Sequence, residues 1–298
     1  MPFTVSYCNR RSVCSKGLEE REREFCQALR ESDRVIVGAG AGFSAAAGQE
    51  YGGDRFAHNF GDFASRYGIE DMYAGMFYRF ATEEERWAYT ARHVMINRFE
   101  NGAFTPLYRL LLKLLEGKDY FVITTNVDGL FVKSGFEAEK VFEVQGDYGY
   151  MQCGDGCHDG LYYNESLVRE MVGHTTDCTI PSALVPHCPK CGGRMELHIR
   201  KDMNFVEDTH WNGMLRRYLS FAERARKGKT LLIELGVGFN TPTIIRYPFE
   251  RMAAEEEGVT LVRMNRDYAG FESESGRHIA FDEDMGQVLS EVAGKSSH

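Results

Sequence analysis

Arg34-Val35-Ile36-Val37-Gly38-Ala39-Gly40-Ala41-Gly42 runs a short β-type stretch straight into a glycine-rich turn, and Ser44-Ala45-Ala46-Ala47 then opens a helix with little side-chain bulk. Strand, glycine turn and helix start make the unit on which nucleotide-binding α/β folds are built, because bare backbone N–H groups at a helix start can approach a phosphate. Gly38, Gly40 and Gly42 do not fit G-x-G-x-x-G, so a turn built for tight packing is an equal reading. The absence of G-K-[ST] argues against a P-loop.

Outward from that turn, residues 120–125, 141–144, 231–235 and 259–264 are further apolar runs of strand type. Between them lie helical patterns. Leu18, Phe25, Cys26 and Leu29 share one side of a charged helix over 17–31. Ile69, Met72, Met76, Phe77 and Phe80, then Trp87, Ala91, Val94 and Met95, form stripes at three- and four-residue steps within 57–100. Thr105-Pro106 starts another helix that Gly117 is placed to stop, one begins near Pro248, and the last spans 284–292. Strands alternating with helices imply an α/β fold with a mostly parallel, doubly wound sheet. Ligands of such sheets bind beyond the carboxyl ends of the strands. Four segments carry Gly, Asn or Asp at such ends: 38–42, 126–129, 236–240 and 265–267.

The chain has 298 residues and a net charge of −9, with 44 acidic against 35 basic side chains. That balance opposes attraction to polyanions, so no nucleic-acid partner is expected. No run approaches the ~18 consecutive apolar residues of a membrane span, and MPFTVSYCNRRSVCSKG lacks a compact apolar segment of signal type, so a cytoplasmic protein with no membrane partner is expected.

Of eight cysteines, Cys153/Cys157 and Cys188/Cys191 form two tight pairs, a spacing suited to a closed tetrahedral Zn²⁺ site with scaffolding but no Lewis-acid role. His158, His174 and His187 lie nearby and read as loop residues. Cys8, Cys14 and Cys26 read as buried or incidental thiols, and Cys178, between the pairs, is the alternative ligand. The segment up to about Arg200 is poor in long apolar runs, so metal is expected to hold it together.

Taken in order, Gly38-Ala39-Gly40-Ala41, Thr124-Thr125-Asn126-Val127-Asp128, Glu143-Val144-Gln145-Gly146, C-x₃-C with C-x₂-C, Gly236-Val237-Gly238 and Asn265 resemble the sirtuin family over about 30–292. The resemblance implies a Rossmann-type NAD-binding domain over 30–50, 101–148 and 228–298, a helical insertion over 51–100 and a zinc-binding small lobe over 149–205. It implies NAD as cosubstrate and cleavage of the nicotinamide–ribose bond. Gly38, Ala39, Gly40, Ala41, Gly236 and Val237 are implied at the phosphates and Asn265 at the adenosine ribose. Arg55, Thr125, Asn126, Asp128 and Gln145 fall on the nicotinamide side, with Asn126, Gln145 and Asp128 as the catalytic candidates.

Two departures from the family pattern point to the reaction. Thr125 stands where sirtuins carry glutamine, and Gln145 where they carry the histidine base of deacylation. A neutral imidazole can take a proton and an amide cannot near neutral pH. The early loop Gly48-Gln49-Glu50-Tyr51-Gly52-Gly53-Asp54-Arg55-Phe56 replaces G-I-P-D-F-R, and the peptide-groove signature F-G-E is missing near Met203-Asn204-Phe205. These features are similar to those of the class M branch, which is linked to macrodomain proteins and to lipoate metabolism. The similarity implies an ADP-ribosyltransferase acting on a lipoyl carrier protein of glycine-cleavage H type. The alternatives are an NAD-dependent lysine deacylase with another base, for which His58 and His93 are the candidates, and a non-catalytic NAD or ADP-ribose sensor.

Overall fold

A computed structural model describes residues 16–271 and 276–296; Cys8 and Cys14 lie outside the described residues. Among the described residues nine strands appear in chain order: β1 (Arg34–Ala39), β2 (Asp119–Thr124), β3 (Val141–Glu143), β4 (Gly146–Cys153), β5 (Tyr162–Tyr163), β6 (Met195–Ile199), β7 (Thr230–Leu235), β8 (Val259–Met264) and β9 (Arg277–Phe281). The helices are α1 (Leu18–Glu31), α2 (Ala41–Ala46), α3 (Gly53–Tyr67), α4 (Met72–Met76), α5 (Glu83–Val94), α6 (Thr105–Leu114), α7 (Leu130–Lys133), α8 (Glu165–Gly173), α9 (Thr209–Ala225), α10 (Arg246–Glu255) and α11 (Met285–Ser296).

Six strands form one sheet in the order β3-β2-β1-β7-β8-β9. Ranked among themselves these strands read 3-2-1-4-5-6, the doubly wound order whose direction of winding reverses between β1 and β7. β1, β7, β8 and β9 pair in parallel, with Gly38 opposite Glu234 and Glu234 opposite Arg263. Every residue of β7 is buried, as a strand covered on both faces requires. A second sheet, β5-β4-β6, is antiparallel, with a register irregularity between Asp147 and Met151.

The chain divides into two compact units, Met1–Phe43 with Lys113–Ile123 and Ser220–His298, and Ser44–Leu112 with Thr124–Leu219. In the first, α1 packs on α11, and a buried ionic network joins strands to helix: Arg263 grips Glu234 with two bonds of 2.8 Å and meets Glu250 at 2.7 Å, while Arg246 lies 3.4 Å from Glu234. In the second, Phe56, Phe60, Phe63, Trp87 and Tyr89 share one apolar core with Tyr148, Met151, Cys153, Val168, Met171 and Leu197. The cysteine-bearing segment therefore does bury apolar surface. It does so against helices distant in sequence, which its own short apolar runs do not reveal. Thr82 and Glu85 start α5 with a reciprocal capping box, and α5 runs on into a π-helical turn, Met95–Phe99.

Candidate active site and metal centre

In the first unit the glycine turn after β1 meets the turn after β7. Gly40 N donates to Leu235 O at 2.9 Å and Gly42 N to Gly236 O at 3.0 Å. A Cβ on Gly42 would lie 2.8 Å from Gly236 Cα, and Gly236 itself sits at φ +59, so neither turn has room for a side chain. Gly38 is bare for another reason: its Cβ would collide with Ile245, the residue before α10, and with Phe249 of α10, the close helix–strand approach of a dinucleotide fold. Close packing thus accounts for all four glycines. Asn265 is committed to its own loop. Its Nδ2 donates to Val237 O at 2.9 Å, and its Oδ1 accepts from Asp267 N and Tyr268 N at 3.1 and 3.0 Å, an Asx-type turn. That turn ties Asn265 to Val237. Ala39 is buried at the end of β1, and Ala41 is exposed at the start of α2.

The second unit gathers Asn126 and Asp128 around one buried hydroxyl. Ser44 Oγ donates to Asp128 Oδ2 at 2.7 Å, accepts from Asn126 Nδ2 at 3.0 Å and lies 2.9 Å from Tyr108 OH. With its single proton given to Asp128, Ser44 must accept from Tyr108. Gln49 Nε2 reaches Asp128 Oδ2 at 3.5 Å, and Leu130 N caps Asp128 Oδ1 at 3.0 Å. Burial pushes the Asp128 carboxyl above its usual range, against the pull of Ser44 and Leu130, which favour the charged form.

Gln145 lies beside this cluster. Val144 N donates to Thr124 O at 3.1 Å and Tyr148 N to Val127 O at 2.9 Å, so two backbone bonds bracket Asn126 and Gln145 on adjacent segments. The half-buried Gln145 amide has no hydrogen-bond partner among the described residues. The next residue, Gly146, sits at φ +95 with His198 O only 2.0 Å from where a Cβ would stand. Thr125 is half-buried between β2 and Asn126.

Arg55, expected near the nicotinamide ribose, lies in the same unit as Asn126 and Gln145 and holds the early loop. Its guanidinium donates to Glu50 O at 2.8 Å, Ile96 O at 3.1 Å and Asn97 Oδ1 at 2.9 Å, fastening the early loop to the π-helical turn. His58 is exposed on α3. His93 is fully buried, with both ring nitrogens unpartnered and edge contacts to Tyr51 and Tyr148 at 5.5 and 5.0 Å. Burial, helped by the Arg55 charge, lowers its pKa from 6.5 to about 3. As pH falls from 6.5 towards 3, the unfolded chain takes up a proton that the folded chain refuses, so this group costs about 1.4 kcal/mol of stability per pH unit. His93→Leu should flatten the acid limb of stability against pH, read from urea unfolding at several pH values. Identical slopes in variant and parent would contradict this.

The Sγ atoms of Cys153, Cys157, Cys188 and Cys191 all lie within 4.8 Å of one another. Cys153 and Cys191 are 3.7 Å apart, and Cys157 and Cys188 3.6 Å. A disulfide would need about 2.05 Å. Sulfurs on one tetrahedral Zn²⁺ at about 2.3 Å stand roughly 3.8 Å apart, so the quartet fits zinc. His158 Nδ1 lies 3.1 Å from Cys157 Sγ and its Nε2 2.8 Å from Tyr162 OH, the place of a supporting residue beside the thiolates. Cys178 belongs to the apolar core and not to the quartet.

The sequence reading passed over Ser44, Tyr108, Gln49, Arg98 and Asp147. Ser44 alone carried a signal, standing two residues after the glycine turn; the others are brought in by folding. Among the described residues no helix is long and apolar enough to cross a membrane.

A protein ADP-ribosyltransferase of Staphylococcus aureus is 37% identical over 240 residues, spanning 80% of this chain and 76% of that protein. A probable bifunctional ADP-ribose hydrolase/ADP-ribosyltransferase of Fusarium oxysporum f. sp. cubense is 35% identical over 246 residues, 79% of this chain but only 41% of that longer protein. An NAD-dependent protein deacetylase of Bacillus cereus is 25% identical over 250 residues, covering 82% of this chain and 86% of that one. Among solved structures, one described as Sir2Tm bound to a propionylated peptide aligns with a TM-score of 0.57 at 21% identity, over 92% of this chain and 98% of that chain, and so supports the fold. Residues 40–223 match the Sir2 family profile, and with the Staphylococcus relative this shows that the chain belongs to the Sir2 family.

Proposed function

We propose that this Sir2-family, NAD-using enzyme is a protein mono-ADP-ribosyltransferase that passes ADP-ribose from NAD to a lipoylated carrier protein of glycine-cleavage H type. The observation that carries the reading is Gln145: an unpartnered amide, able to hydrogen-bond a ribose hydroxyl but unable to act as a base, beside the Asn126 cluster. Two relatives above 30% identity named as ADP-ribosyltransferases support it. A functional link to a macrodomain protein belongs to the same proposal and rests on the class M resemblance alone.

The C1′–N bond of NAD breaks with its electron pair leaving on the nicotinamide nitrogen, the acceptor's lone pair forms the new bond to C1′, and the acceptor's proton is released to solvent. Asn126, held by Ser44, orients the ribose and acceptor; Gln145 holds the ribose hydroxyls. Asp128, fixed by Ser44 and Leu130, orients the nicotinamide side, so the site works chiefly by orientation and charge placement. In the first unit, Gly38, Ala39, Gly40, Ala41, Gly236 and Val237 shape the backbone for the diphosphate, and Asn265 serves the adenosine ribose through its loop. Arg55 acts by holding the early loop and Thr125 by shaping the strand end. Zinc on the four cysteines is structural, since four thiolates leave no open position for water.

Deacylation is the competing reading, and the geometry disfavours its candidate bases: His58 is exposed on α3 and His93 is sealed among aromatic rings. Incubation with acyl-lysine peptides and NAD decides the matter. The account expects no O-acyl-ADP-ribose; its stoichiometric appearance would establish the deacylase. Tight NAD binding without nicotinamide release, even with a lipoylated carrier present, would establish a sensor.

A further inference from the structure

We propose that Arg98, on the π-helical turn, is the positioning residue that locks the Gln145 turn to the Asn126–Asp128 turn. The inference rests on the reading of those residues as the reaction site. π-Helical turns cost hydrogen-bond geometry and are commonly kept where a side chain must be aimed. Here the turn Met95–Phe99 aims groups at three loops of its own unit. Asn97 Oδ1 receives Arg55 at 2.9 Å, and Asn97 O receives Gln49 Nε2 at 3.3 Å, which ties in the early loop. Asn101 Nδ2 donates to Asn97 O at 2.7 Å and to Asp128 O at 2.9 Å, which ties in the Asn126–Asp128 turn.

Arg98 joins that turn to the third loop. Its Nε and Nη2 make a two-pronged pair with Asp147 Oδ1 and Oδ2 at 2.6 and 2.9 Å, and Asp147 Oδ1 also accepts Gly149 N at 2.7 Å, which fixes the turn that begins at Gln145. The same guanidinium lies against Gly129, the residue after Asp128: a Cβ there would come within 2.5 Å of Arg98 Cζ. One planar group thus touches both segments. Burial opposes its charge, but the Asp147 pair outweighs this and holds it protonated. Lys133 Nζ caps the carbonyls of Arg98 and Phe99 at 2.7 and 3.1 Å, placing a cation where the turn ends. Among these contacts only the fork geometry of arginine spans Asp147 and the Gly129 backbone together; a lysine keeps the charge and loses the span.

Arg98→Lys in the full chain should leave the dissociation constant for NAD within about twofold while nicotinamide release falls about 10- to 100-fold, the cost of misplaced reacting groups. Hydrogen exchange of residues 143–150 and 126–131 should quicken with little change elsewhere. Guanidinium added at a non-denaturing concentration should restore part of the rate to Arg98→Ala. Parental rate and exchange in Arg98→Lys would overturn the proposal, as would a rate loss accompanied by equal loss of protection throughout the unit, which marks plain destabilisation. Should the parent protein release no nicotinamide with NAD and carrier, the reaction reading fails, and exchange at 143–150 and 126–131 in Arg98→Lys alone decides the role of Arg98.

Discussion

Asn126→Ala should lower ADP-ribose transfer by about 10²- to 10³-fold, the scale of removing one preorganised polar group from a reacting centre. The side chain sits where such a loss is confined. Its Nδ2 donates to Ser44 Oγ, while Ser44 keeps its bond to Asp128 and its contact with Tyr108. The folded state loses the neutral hydrogen bonds of one amide, to Ser44 and Tyr108 among them, at about 1 kcal/mol each, so the variant should still fold, with a melting midpoint lowered by several degrees. Binding of NAD should weaken far less than the rate falls, because the lost contact acts as charge develops at C1′. Transfer from labelled NAD, read beside a melting curve, checks this. Transfer at the parental rate in a folded Asn126→Ala protein would remove Asn126 from the mechanism.

Stripping the metal should have the largest effect on stability. Cys153 and Cys188 are buried and Cys157 and Cys191 exposed, with all four sulfurs within 4.8 Å. Without zinc, either several thiolates repel one another at that spacing or protons must be taken up to neutralise them. Cys153 and Cys188 also belong to the apolar core of the second unit, so disorder in the ribbon would reach β4 and β6. Chelation, or Cys188→Ser, should lower the melting midpoint by about 10 °C or more, with recovery of the chelated protein on adding Zn²⁺. One zinc per chain by elemental analysis is the companion result. A metal-free protein with the parental melting curve would contradict the structural role.

Five of the six strands of the large sheet are legible in the sequence as apolar runs, four of them ending in Gly, Asn or Asp, the trace of parallel strands buried on both faces; β9, Arg277–Phe281, opens on Arg and His and is not read as a strand. The four cysteines were legible because a tetrahedral thiolate site imposes spacing on the chain itself. The antiparallel sheet was not: β4, Gly146–Cys153, mixes Gly, Asp, Tyr and Gln and gains its burial from α3 and α5. At the site, Asn126 and Asp128 follow a strand end, a place equally suited to backbone capping, and it is the sirtuin resemblance that singles out Asn126 and Gln145. Arg98 could not, since an arginine in a helical stretch reads as a solvated face until folding brings Asp147 and Gly129 to it. The family pattern implies Arg55 and Asn265 at the ligand, and only folding shows the bonds by which each also holds its loop.

A site with an amide where a base would stand is expected to transfer ADP-ribose to a protein. Intact-mass measurement of an H-type carrier, with and without its lipoyl group, after incubation with this protein and NAD tests it most directly. The account predicts a gain of one ADP-ribose unit on the lipoylated carrier, matched by released nicotinamide and absent from the unlipoylated form. An unchanged lipoylated carrier, with the same enzyme forming O-acyl-ADP-ribose from an acyl-lysine peptide, would contradict it.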